Sequence, residues 1–170
     1  MRILDGPSAF LVRSDASHAH QHTLKIAVLD FSGDPAGYRF ENVFALIEEG
    51  VKAHPHLKWK ISNVPLGLNH PFWVQDTDFD IWNHVRRIAC PTPGDRATFC
   101  ALVAQLYAQH LPLDLPLWSA CIVEGLENGQ VAMVSMFHHA YSGGVGTSIM
   151  LEGLAHPEKC TEPEGIYTCG

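Results

Sequence analysis

His138 and His139 are the residues of this chain best suited to move a proton. They stand side by side and are followed by Ala140-Tyr141-Ser142-Gly143-Gly144. On an extended backbone neighbouring side chains point to opposite faces, so one ring of such a pair meets a core and the other a cleft. An imidazole titrates near working pH. At a strand end beside glycines it is suited to take a proton from an alcohol or thiol attacking a carbonyl. Two packed or hydrogen-bonded rings at a turn are the competing reading, and the dipeptide alone decides between neither.

Other clusters carry less. His18, His20 and His22 alternate, which on a strand would set three imidazoles on one face. Zinc sites need a further ligand and fixed geometry, and no partner cluster has recognisable spacing, so the segment reads as solvated surface and no metal is expected. Gly143-Gly144-Val145-Gly146 lacks both the dinucleotide spacing and the P-loop lysine. Asp76, Asp78 and Asp80 alternate around Phe79 without the rest of a calcium loop and read as a polar turn capping a strand.

The elements that position the histidine pair are legible upstream. Leu24 to Phe31 is aliphatic and β-branched and closes on Ser32-Gly33-Asp34-Pro35, the pattern of a strand. Val43, Phe44, Ile47 and Val51 recur at helical spacing until His54-Pro55. Trp59 to Val64, Phe72 to Gln75 and His84 to Cys90 are short strands by the same reasoning. Asp95 caps a second helix with a stripe of Phe99, Leu102, Val103, Leu106, Tyr107 and His110. Leu111 to Trp118 holds two prolines and reads as an extended connection. Ser119 to Glu124 and Gln130 to Phe137 flank Asn128-Gly129, a strong hairpin signal. The second of these strands runs into His138, and Val145 to Leu154 reads as a helix. The pair therefore sits at a strand-to-helix switch in a single α+β layer with a mixed sheet.

Composition narrows the classes. The 170 residues hold 46% hydrophobic and 17% charged residues, which excludes a disordered chain and fits about one domain. Eighteen acids against eleven bases give a net charge of −7, so no clustered cationic face is expected and nucleic acid is not a partner. The five cysteines are odd in number, without a C-x-x-C pair, and suggest neither a zinc ribbon nor a disulfide framework. The opening MRILDGP reads as no signal peptide, and the longest apolar runs are under half the ~20 residues that span a bilayer. A cytoplasmic, reducing location is expected.

Taken together, several segments resemble one family. The stretch LPLDLPLWSACIVEGLENGQVAMVSMFHHAYSGG, residues 111–144, is similar to the bacterial wax ester synthase/diacylglycerol acyltransferases, in which a Pro-Leu-Trp strand and a hairpin lead into an HHxxxDG motif. Collinear with it are Leu4-Asp5 to Phe10-Leu11, Pro65-Leu66-Gly67, Trp73-Val74-x-Asp76, Phe79-Asp80-x-x-x-His84-Val85-Arg86 and Pro91-x-Pro93-Gly94. The resemblance covers residues 1–154 as one amino-terminal lobe, leaving 155–170 as an irregular tail.

The resemblance implies an α+β, chloramphenicol-acetyltransferase-like fold of two similar lobes with a tunnel between them. It implies acyl transfer from acyl-CoA to diacylglycerol or a long-chain alcohol, with acyl-CoA as substrate and no cofactor. His139, the motif's second histidine, would be the general base, while His138, Gly143 and Gly144 would shape the turn. Two departures stand out. Gly143 replaces the motif aspartate, and the chain stops just past the motif helix, so the second lobe is missing from this sequence. The expectations are thus an incomplete acyltransferase, or a truncated lobe that binds lipid, a complementary carboxy-terminal lobe or a second copy, or a non-functional remnant. Peripheral attachment at a membrane or lipid-droplet surface also fits a protein whose products are lipids.

Overall fold

The aliphatic run around Leu24 forms β2 (His22–Leu29) after a short β1 (Arg2–Ile3) and a first helix, α1 (Gly6–Ser14). The computed structural model describes residues 1–16, 19–33, 35–65 and 68–141. The expected helix 145–154, Gly143, Gly144 and the tail 155–170 lie outside the described residues, as do His18, Leu66 and Gly67. The helix α1 has no strong apolar periodicity, but Asp5 accepts the Ser8 N–H at 2.8 Å as its N-cap and Pro7 fits the first turn, where no N–H is needed.

Next come α2 (Phe40–Ala53), β3 (Trp59–Ser62), β4 (Phe72–Gln75) and β5 (Val85–Ala89). They are followed by α3 (Arg96–Tyr107), β6 (Trp118–Glu124) and β7 (Val131–His138). Asp95 caps α3 as expected, accepting the Thr98 N–H at 2.8 Å. The helix ends at Tyr107, however, so His110 lies beyond the stripe in the connection to β6.

The strands form two sheets rather than one layer. A small antiparallel sheet has the order β1-β4-β3, and the larger mixed sheet has the order β2-β7-β6-β5. Strands β5 and β6 pair in parallel, which requires a crossover, and α3 supplies it. The hairpin β6–β7 pairs Trp118 with Phe137 and Ala120 with Ser135. Its tip places Asn128 at φ 62° and Gly129 at φ 68°, the left-handed values that Asn and Gly tolerate best.

Both faces of β6 and β7 are covered, so each reads as a continuous apolar run. Trp118, Ile122, Met133 and Phe137 share one core with Val43, Ile47 and Val51 of α2. Cys121, Val123, Ala132 and Val134 share the other with Leu102 and Leu106 of α3. The turn after β5 is locked onto the hairpin loop: Gly94 has φ +77°, and a Cβ there would stand 2.1 Å from the Gly125 carbonyl oxygen. The Glu127 N–H also donates to the Gly94 carbonyl at 2.9 Å. Among the described residues Cys90, Cys100 and Cys121 are free thiols.

Candidate functional site

Strand β7 ends on His138, and the chain then turns through one 3₁₀ turn, His139–Tyr141. Main-chain contacts fix this switch. The His138 N–H donates to Leu117 C=O at 3.0 Å and the His139 N–H to Gln21 C=O at 2.8 Å. Tyr141 pegs the turn to the small sheet: its hydroxyl donates to Trp59 C=O at 2.8 Å and accepts the Leu117 N–H at 3.2 Å. Its ring stacks on Trp73 with centroids 4.9 Å apart. Helix α1 supports the turn through the Ser8 hydroxyl, which donates to Ala140 C=O at 3.3 Å.

The two histidines have different environments. His138 is fully buried, and its Nδ1 accepts the Ala140 N–H at 3.0 Å. A neutral ring that accepts at Nδ1 carries its hydrogen on Nε2. That atom faces Asp15 Oδ2 at 3.6 Å, beyond hydrogen-bond range. Burial holds the His138 pKa well below its ordinary value, against the opposing pull of the Asp15 charge. His139 is half-buried, so of the pair it is the residue that reaches solvent.

A cavity of about 180 Å³ opens elsewhere, between the start of β5 and the α3–β6 connection. Asn83, His84, Arg86, Gln109, His110 and Trp118 are among its walls, and His139 is not. The turn can hold a proton acceptor, and the polar hollow beside α3 is a separate feature that neither histidine of the pair lines.

The alternating histidines do not form the expected solvated segment. His22 is 3% exposed and pairs with His138 across the β2–β7 ladder, which sets both rings on one face. Its ring stacks on His20 at 5.0 Å, and its Nε2–H donates to Tyr107 C=O at 3.0 Å. The His22 pKa is lowered, chiefly by burial. The aspartates also differ from a simple polar turn. Asp76 is 5% exposed and pairs with Lys60 at 2.9 Å, which holds its carboxyl below the usual range. Asp80 caps the turn Ile81–Asn83 through the Trp82 N–H.

Spacing alone could not reveal Asp15 and His110, which meet at 2.8 Å from distant parts of the chain. The Asp15 carboxylate is oriented by the Gln21 N–H, which donates to its other oxygen at 2.8 Å.

Neutral buried histidines make the fold acid-sensitive. Burial, helped by the neighbouring His54, pushes the His56 pKa down to about 4, and burial also lowers that of His84. A group whose folded pKa is depressed binds fewer protons in the native state, so its stability contribution is present above pH 6.5 and lost as pH falls. For His56 the window runs from 6.5 to about 4. Discounted for its residual exposure, the loss is roughly 2–3 kcal/mol. Urea midpoints at pH 7.5 and 4.5 check this, with His56→Gln expected to flatten the dependence. Equal wild-type midpoints contradict it.

Comparison with known proteins matches residues 4–164 to the wax ester synthase/diacylglycerol acyltransferase catalytic domain. A Mycobacterium tuberculosis protein whose name provisionally assigns it diacylglycerol O-acyltransferase activity is 48% identical over 151 residues. That alignment covers 89% of this chain and 32% of the relative, so the chain spans about a third of the relative's length. The wax ester synthase/diacylglycerol acyltransferase from Marinobacter aquaeolei VT8 superimposes with a TM-score of 0.73 at 22% identity, over 89% of this chain and 36% of that one. A starter condensation domain of the rhizomide synthetase RzmA, solved with C8-CoA, gives 0.69 at 14% identity, over 91% and 34%. These likenesses fix the fold as one lobe of the CoA-dependent acyltransferase type. With the family match spanning nearly the whole sequence, the chain belongs to the wax ester synthase/diacylglycerol acyltransferase family.

Proposed function

We propose that this chain supplies the amino-terminal lobe of an acyl-CoA-dependent O-acyltransferase, with His139 as general base and His138, Gly143 and Gly144 shaping the turn that holds it. One observation supports this most directly: the motif's second histidine is only half-buried while the first is sealed in the core. His139 takes the proton of a diacylglycerol or long-chain alcohol hydroxyl as that oxygen attacks the thioester carbonyl. Collapse of the tetrahedral intermediate breaks the C–S bond, forms the ester and returns the proton to the CoA thiolate. The balance closes without a covalent enzyme intermediate or a cofactor. Holding both substrates in attack geometry contributes up to about 7–11 kcal/mol in favourable systems.

The wall facing this turn comes from a second lobe, provided by further chain or by a complementary carboxy-terminal segment. Oxyanion donors on that side would be worth about 2.7–4 kcal/mol. In this reading the chain works at the surface of a membrane or lipid droplet, because the ester product is a lipid; no helix of the described residues is long and apolar enough to cross a membrane. The test is release of CoA thiol from a long-chain acyl-CoA with diacylglycerol or hexadecanol, by the chain alone and mixed with a carboxy-terminal lobe. Release in either case supports the reading, and its absence from both overturns it. A thermal shift with acyl-CoA but no thiol release identifies a binding module instead.

A further inference from the structure

We propose that Asp15, His20 and His110 form a binding site for a divalent first-row transition ion, of which zinc is the representative. The inference stands apart from acyl transfer. Each of the three residues offers one ligand atom within 4.8 Å of the other two. The ligand atoms of a tetrahedral zinc site, ~2.0–2.1 Å from the metal, stand roughly 3.3–3.4 Å apart, so side-chain rotations of an ångström or so complete the set. Two imidazoles and a carboxylate suit such ions, and three protein ligands leave a fourth position for water.

The surroundings are built as an outer shell. The side chain of Asp15 is 1% exposed, with Oδ1 held by the Gln21 N–H and Oδ2 turned toward His110 at 2.8 Å. The His20 Nδ1 is buried without a hydrogen-bond partner. His138 is itself fully buried, and its Nε2 also lacks a hydrogen-bond partner while facing Asp15 Oδ2 at 3.6 Å. Because His138 Nδ1 accepts the Ala140 N–H, its Nε2 keeps the hydrogen and is not a ligand. It is instead the donor that orients the carboxylate once the metal draws Asp15 into place. The His22 ring stacks under His20 and fixes its plane, with its own Nε2 committed to Tyr107 C=O. The side chain of His110 is 35% exposed and lines the cavity beside α3, which gives the ion an entry path. The ion would clip the α1–β2 connection to the α3–β6 connection.

Two measurements on the full, tag-free chain test this. After chelation, zinc titrated calorimetrically should bind at one equivalent, and His110→Ala should weaken it more than tenfold while His70→Ala leaves it unchanged. His110 is partly exposed, so its alanine variant folds even if Asp15→Asn does not. In the second measurement, cobalt(II) added to His110→Cys should produce a near-ultraviolet thiolate-to-cobalt band absent from the wild type. Unchanged zinc affinity in His110→Ala, or no new band in the cysteine variant, overturns the site.

Discussion

His139→Ala is expected to slow acyl transfer by about a hundred- to ten-thousand-fold, the usual contribution of a positioned general base. The stability of the lobe should barely change. The contact that anchors residue 139 is its main-chain N–H to Gln21 C=O, which alanine keeps. That separation distinguishes a chemical role from a structural one. Thiol-release rates with and without the ring, measured beside urea midpoints, check it. Equal rates would remove His139 from the mechanism, and a large fall in midpoint would assign the ring to packing. The Gly143 departure belongs with this result, because the motif's aspartate position holds no carboxylate in this sequence. The residual rate of the wild type therefore reports how well the turn holds without it.

Trp118→Ala should cost about 3–5 kcal/mol of stability, the range for removing a buried tryptophan. Trp118 is 1% exposed, and its Nε1–H donates to Leu57 C=O at 2.8 Å. Its ring stacks on His84 at 4.7 Å, and His84 in turn stacks on Phe79 at 5.1 Å. Alanine would leave a cavity, an unpaired Leu57 carbonyl and an uncovered His84. Trp118→Phe keeps most of the apolar contact and loses only the donor, so its cost should be smaller. Urea unfolding of the three proteins measures the series. A loss below about 1 kcal/mol for the alanine variant would mean that this end of β6 is not part of the cooperative core.

Elements whose signals are local were legible in the sequence. Asp95 announced α3, Asn128-Gly129 announced the hairpin, and Val43, Ile47 and Val51 announced the buried face of α2. The histidine pair was placed at the end of a strand because the apolar run of β7 stops there. What was not legible depends on distance along the chain. The parallel β5–β6 pairing and the division into two sheets follow from crossovers that leave no spacing pattern. His110 fits the spacing of the helical stripe, but the helix stops at Tyr107 and the imidazole turns to Asp15 instead. His22 reads as polar in isolation, and only pairing with His138 explains why it is buried. Asp5 and Pro7 do signal α1, yet nine residues with a weak apolar stripe offer little periodicity to confirm it.

The close approach of Gly94 to Gly125 pins the start of α3 to the hairpin loop. The helix is clamped near its start, where any side chain at 94 would collide with the hairpin loop. A side chain at position 94 would force the hairpin loop and the start of the crossover apart, so this one glycine sets how closely the crossover can sit on the hairpin.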